Sequence, residues 1–244
     1  MNITPVDIIR KFIRNILPLP CPACRSNEAD MPNGFCRECR EKLMLYPESM
    51  QRCPGCGGMM TGALAVCIQC LAEPERPWQK ACSMMPYRGF ARNLIRNLKF
   101  SKRPELARAF GMLLAENLRQ NNISADLIVP VPLHFARQFS RGYNQSQLLA
   151  DVLSSFCKIP VSQPLRRIRK RSHQSRRNRS DRHRELSGTF ILTAPEKVKD
   201  RHILMIDDVF TTGATLHAAV KTVMDGSPAS VTIITLARTP GRTL

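Results

Sequence analysis

The chain has 244 residues, room for one full domain and a small second one, and its 43% hydrophobic content is normal for a globular protein with a real core. Its 37 Lys and Arg against 19 Asp and Glu give a formal charge of +18, which favours polyanions such as nucleic acid, anionic headgroups or polyphosphates without choosing among them. No apolar run approaches the length that crosses a bilayer, and Arg10, Lys11 and Arg14 break up the first twenty residues too often for a signal peptide, so a cytoplasmic protein is expected.

In chain order, the first predicted element is an amphipathic helix capped by Thr4, with Pro5 in its first turn and Pro18 as its stop. Ile9, Phe12, Ile13 and Ile16 fall on one face, with the basic residues largely opposite. That face suits docking on the protein's own body; peripheral contact with the inner face of the cytoplasmic membrane is the alternative.

Four CxxC pairs follow: Cys21/Cys24, Cys36/Cys39, Cys53/Cys56 and Cys67/Cys70. Two-residue spacing lets both thiolates of a tight turn face one ion, and two such turns complete a tetrahedral site. CPAC with FCREC is echoed about thirty residues on by CPGC with VCIQC, a self-similar unit that predicts two sequential zinc ribbons. Cys21, Cys24, Cys36 and Cys39 are therefore assigned to one structural Zn2+, and Cys53, Cys56, Cys67 and Cys70 to another; a cross-braced pairing is the other arrangement. A disulfide framework fits poorly with the missing export signal. Cys82 and Cys157 stand alone and read as buried small apolar residues.

Ala72–Trp78, with Pro74 and Pro77, reads as a linker that divides residues 1–77 from a main domain at 78–244. Within that domain, strands are expected at 80–87, 126–131, from about Pro160, at 189–193, 202–207 and 230–237. Helices are expected over Arg88–Phe100, Pro104–Leu118, within PLHFARQFSRGYNQSQLLADVL, and over 213–224. Strand and helix alternating with short connections imply an α/β fold with a mainly parallel twisted sheet flanked by helices.

Residues 203–215 read ILMIDDVFTTGAT: an apolar strand, two carboxylates, then a loop of small and hydroxyl residues opening a helix. Unpaired N–H groups and the positive dipole end at a helix start suit an oxyanion, and open α/β sheets bind ligands at the carboxyl ends of their strands. The plain alternative is a strand–turn–helix in which Asp208 caps the helix and Gly213 eases the turn. No lysine follows the glycine as in a P-loop, and no GxGxxG follows a strand.

The segment resembles the phosphoribosyl pyrophosphate (PRPP) loop of type I phosphoribosyltransferases. Its order with YRGFARNLIRNLKFSKRPELA, VPVPLH, RGYNQSQLLA and RIRKRSHQ, behind a double zinc ribbon, is similar to the competence protein F (ComF) family, from Cys21 to about Thr239. The resemblance implies a type I phosphoribosyltransferase-like domain binding PRPP with Mg2+ and linked to DNA uptake or utilisation. It implies that Asp207 and Asp208 hold the ribose hydroxyls and act in any catalysis. Thr211, Thr212, Gly213, Ala214 and Thr215 would cradle the 5-phosphate, with Val209 and Phe210 completing the PRPP segment. Pro132, in the turn Pro130–His134, would face pyrophosphate. Arg141 is the foremost further phosphate ligand, since guanidinium meets phosphate bidentately, ahead of Lys99, Arg137 and Asn144.

Residues 166–184 carry ten Lys and Arg against the single Asp181. Such a segment resists compaction until an anion arrives, and the resemblance makes it the loop that closes over PRPP, with Arg169, Arg171 and Gln174 in the family's pattern. Ser175–Arg176–Arg177 departs from that pattern and adds arginines. Three functions stand: a transferase that displaces pyrophosphate with a nitrogen nucleophile, a non-catalytic protein that grips single-stranded DNA and keeps the PRPP pocket as a sensor, and an adaptor for a DNA-translocating helicase. Aromatic residues are 6% of the chain and few lie among the arginines, so phosphate contact is expected over base stacking. His134 and His173 read as incidental polar residues.

Overall fold

The computed structural model describes residues 19–60, 64–71, 76–101, 103–133, 139, 141–168 and 188–240. The expected N-terminal helix, His134, Arg137 and most of the basic segment 166–184 lie outside the described residues.

Two short helices, α1 (Arg37–Lys42) and α2 (Ile68–Leu71), each follow the third cysteine of a set of four. The main domain then runs β1 (Lys80–Pro86), α3 (Gly89–Phe100), α4 (Glu105–Gln120), β2 (Leu127–Pro130), α5 (Gln145–Cys157), β3 (Leu165–Arg167), β4 (Phe190–Leu192), β5 (His202–Phe210), α6 (Ala214–Met224) and β6 (Ser230–Arg238). β1, β6, β5 and β2 form a four-stranded sheet in that order, and every pairing is parallel. β3 and β4 pair antiparallel as a separate two-stranded sheet.

The central strand reads HILMIDDVF and is buried on both faces, as a strand covered by two helical layers must be. Leu204 and Ile206 face one core, with Leu94, Ile95 and Leu98 of α3, Phe110 and Leu113 of α4, and Leu149 and Leu153 of α5. Ile203 and Met205 face a second core, with Leu216, Ala219, Val220 and Val223 of α6. In each helix the buried residues recur at three- and four-residue intervals, which confines the apolar stripe to one side.

β5 extends beyond the expected end at 207 to Phe210, because Val209 and Phe210 still pair with Ala237 and Arg238 of β6. Asp208 is therefore a strand residue, not a helix cap. The strand expected from Pro160 reduces to a single bridge between Val161 and Ile128, followed by β3. α5 starts at Gln145, where the Asn144 side chain accepts from the Ser146 N–H at 3.1 Å and caps the helix.

The cysteine-rich part shares these cores. Phe35 packs edge-on against Phe110 of α4, with ring centroids 5.7 Å apart. On the other face Trp78, the last residue of the expected linker, is buried, donates to the Gly55 carbonyl at 3.1 Å and meets the Phe210 ring edge-on.

α4 and α5 cross so closely that a Cβ on Gly111 would lie 2.4 Å from Val152 Cγ1. Gly111→Ala should therefore destabilise the chain by about 1–3 kcal/mol in urea unfolding, and Val152→Ala in the same chain should recover only part of that loss, because the Val152 Cβ would still lie 2.6 Å from the new methyl group. Additive losses in the pair would show that the close crossing is not the cause.

Candidate functional site

The site is built at the C-terminal edge of the sheet, where β5 ends beside β2 and β6. Consecutive residues Asp207 and Asp208 place two carboxylates there. Asp208 is buried and pairs with Lys99 from the last turn of α3, Nζ to Oδ2 2.8 Å. Asp207 Oδ1 accepts from the Ser146 hydroxyl at 3.0 Å and from the Asp208 N–H at 2.9 Å. Burial, then the neighbouring Asp208 charge, push the Asp207 carboxyl up from 3.8 to about 7; Lys99 and the two hydrogen bonds act against them. Among the described residues the Lys99 ammonium thus faces two carboxylates in a site that disfavours charge.

Beyond Phe210 the chain turns through Thr211–Gly213 into α6. Gly213 has φ +78°, a conformation that costs glycine nothing. A Cβ there would also sit 2.6 Å from Phe210 Cζ and 2.9 Å from an Arg76 nitrogen, so both backbone and space demand glycine. Thr212 Oγ1 accepts from the Ala214 N–H at 3.3 Å. Among the described residues, the N–H groups of Thr211, Thr212, Gly213 and Thr215 have no acceptor. These donors and the start of an eleven-residue helix form a cup suited to a phosphate.

The other sequence candidates gather around this edge. Pro132 follows β2, whose Pro130 pairs with Ile206, one residue before Asp207. Asn144 Nδ2 donates to the Val131 carbonyl at 3.1 Å, so this expected phosphate neighbour ties the start of α5 to that turn. Arg141 stacks over the Phe100 ring, 4.5 Å from its centroid, and donates to Gln145 Oε1 at 2.9 Å. Tyr143 donates to the Leu98 carbonyl and fixes the end of α3 that carries Lys99. Val209 and Phe210 are buried strand residues rather than loop residues.

Two residues at the site went unnoticed in the sequence. Ser146 stands next to a helix cap, an ordinary place for serine, and its partner Asp207 is 61 residues away. Arg76 lies in a proline-rich stretch without periodicity, yet its guanidinium sits 5.4 Å from the Trp78 ring and 5.7 Å from the Phe210 ring, with a nitrogen 3.5 Å from the Thr212 carbonyl. No local pattern announces either contact.

The cysteines form two clusters, Cys21–Cys24–Cys36–Cys39 and Cys53–Cys56–Cys67–Cys70, each with all four sulfurs within 4.8 Å of one another. The grouping is the sequential one, not cross-braced, and all ten cysteines are free. Cys24 and Cys36 sulfurs lie 3.9 Å apart, and those of Cys56 and Cys67 3.6 Å apart. A tetrahedral ion with about 2.3 Å bonds to sulfur has edges of roughly 3.8 Å, so the clusters fit a zinc ribbon. Burial above all drives the Cys39 thiol upward; hydrogen bonding to Cys53 raises Cys56 and holds Cys70 up at about 12. Four ionised sulfurs coexist only around a cation. Arg238, buried at the end of β6, approaches Cys67 Sγ at 3.8 Å and adds positive charge outside the second cluster. Cys82 is buried in β1 and Cys157 half-buried, and burial raises both thiols, as inert apolar residues. Among the described residues no helix is long and apolar enough to cross a membrane.

Comparison with known proteins agrees with this architecture. The phosphoribosyl transferase domain family matches residues 101–244. DNA utilization protein YhgH of Escherichia coli (strain K12) is 34% identical over 229 residues, covering 91% of this chain and 98% of that protein. Competence protein F of Haemophilus influenzae is 30% identical over 214 residues, 85% of this chain and 91% of its own. Competence protein ComFC of Bacillus subtilis is 30% identical over 212 residues, 83% of each. With the parallel sheet, the carboxylate pair at the end of β5 and the two four-cysteine clusters in place, the chain belongs to the ComF family and carries its phosphoribosyltransferase domain.

Proposed function

We propose that the chain binds PRPP with magnesium at the end of β5 and serves DNA uptake or utilisation, the role its relatives' names give them. The observation that carries this reading is the Asp207–Asp208 pair near the end of β5, followed after Val209 and Phe210 by a turn of N–H groups unpartnered among the described residues at a helix start. Carboxylates accept from vicinal hydroxyls and amide donors accept a phosphate, so ribose 5-phosphate matches both halves at once. Asp207 and Asp208 take the ribose hydroxyls, and Thr211–Thr215 take the 5-phosphate. Pro132, Lys99 and Arg141 stand on the pyrophosphate side.

The reaction open to such a site is displacement of pyrophosphate from C1 by a nitrogen nucleophile: the C1–N bond forms as the C1–O bond breaks, and the leaving oxygen carries the electron pair away. Magnesium supplies positive charge to the departing pyrophosphate. The buried carboxylates favour positive charge developing on the ribose. Each cysteine cluster, on the same reading, holds one structural zinc worth on the order of 10 kcal/mol of folding free energy. Eight cysteines that form no disulfide also suit the reducing cytoplasm.

PRPP with magnesium should raise the melting temperature, and Asp208→Asn should abolish the rise; a wild-type chain that does not respond would sink the proposal. Release of labelled pyrophosphate with nitrogen acceptors then separates a transferase from a sensor.

The raised Asp207 sets a pH dependence. Its folded value of about 7 lies above the ordinary 3.8, so the folded chain holds an extra proton between them. This group's contribution to the unliganded protein's stability is full below 3.8 and lost as pH rises through 7. Accepting two hydroxyls requires the ionised form, so PRPP affinity should climb with pH, by about tenfold per unit below 7, and level off near 8. Titration calorimetry from pH 5.5 to 8.5 checks this, and Asp207→Asn should bind weakly at every pH.

Metal analysis of purified chain should find two zinc ions, and Cys56→Ser should lose one and lower the melting temperature. A full complement in that variant would contradict the assignment.

A further inference from the structure

α3 presents a surface that the PRPP reading leaves unused. Its sequence, GFARNLIRNLKF, contains no acidic residue. Ala91, Leu94, Ile95 and Leu98 bury one side in the core. On the other side Arg92, Arg96 and Phe100 are all exposed and follow one another at four-residue intervals, and the exposed Arg88 stands four residues before Arg92 at the helix N-cap in extended backbone. Residues four apart form a ridge on a helix surface, with a rise of about 6 Å per step. Among the described residues no carboxylate pairs with Arg88, Arg92 or Arg96. Phe100 is 63% exposed, with the Arg141 guanidinium over its ring.

We propose that this ridge is a binding track for single-stranded DNA: Arg92 and Arg96 contact successive phosphates, Arg88 extends the path, and a base stacks on Phe100. The step along the ridge is comparable to the separation of neighbouring phosphates on an extended strand. An exposed ring flanked by guanidinium groups is the arrangement that holds a base without reading its identity. A lipid surface fits less well, because an interfacial helix inserts its apolar face and the apolar face of α3 is buried in the core. The track ends at the PRPP site, since Lys99, next to Phe100, is the partner of Asp208. The choice of DNA rests on the proposed function; the place of contact rests on α3 alone.

The test uses fluorescence anisotropy of a labelled oligo-dT with the full chain across a salt series. Arg92→Glu/Arg96→Glu should weaken binding at least tenfold and make the salt slope shallower by about 1.4, the share of two phosphates on a single strand. Phe100→Ala should weaken binding roughly tenfold without changing the slope. Lys197→Glu/Lys199→Glu, equal in charge change and exposed elsewhere, should do much less. The PRPP-induced rise in melting temperature should persist in the double arginine variant, which shows that the chain is folded and keeps the two readings apart. Equal losses in the arginine and lysine pairs would reduce the ridge to bulk charge and overturn the proposal. So would full affinity in Phe100→Ala, or a wild-type chain that binds phosphatidylserine vesicles but no oligonucleotide.

Discussion

Two adjacent carboxylates at the buried edge of a central strand form an unstable combination, and much of the surrounding structure answers it. Removing Asp207 and Asp208 from water costs more than their mutual repulsion alone, which is why the Asp207 carboxyl rises to about 7. Compensation comes from three directions: Lys99 from α3, the Ser146 hydroxyl from α5 and the Asp208 backbone N–H. Each donor arrives on an element fixed by its own packing or capping, Asn144 for α5 and Tyr143 for the end of α3. Strain of this kind is what a binding site retains, because a ligand with hydroxyl donors and accompanying cations can relieve it.

The cysteine-rich part is joined to this site, not tethered beside it. Phe35 of the first ribbon fills the core under α4, and the second ribbon is fastened to β6 through Arg238. From that ribbon the chain passes Arg76 and Trp78, which pack around Phe210 and the turn before α6. The turn before α6 is thus shaped on one side by residues that precede the stretch 101–244 matched by the phosphoribosyl transferase domain family. A metal held by Cys53, Cys56, Cys67 and Cys70 would therefore also order part of the wall of that turn.

Helix α3 carries two chemistries on one element. Its buried stripe holds it across the core, Lys99 turns inward to a carboxylate, and the arginines four apart face solvent. The sequence reading expected few aromatic residues among the arginines, and Phe100 and Arg141 are far apart in the chain. Folding brings the two together, with the guanidinium 4.5 Å from the ring centroid.

Local chemistry made most of the fold legible. Buried parallel strands write themselves as short apolar runs, CxxC spacing is set by the reach of two thiolates in one turn, and glycine before α6 records a backbone angle no other residue takes without cost. These signals lie within a few residues of one another, so the sequence alone yielded the α/β class, the two cysteine clusters and the carboxylate–threonine turn. It misplaced the end of β5, because only pairing with Ala237 and Arg238 keeps the strand going past the acids. Tertiary structure alone decided that Lys99 pairs with Asp208, that Ser146 meets Asp207 and that Arg76 leans on the cup. Those contacts join residues tens of positions apart through the meeting of separate helices and strands, and no periodicity in a linear chain encodes which side chain will be opposite which.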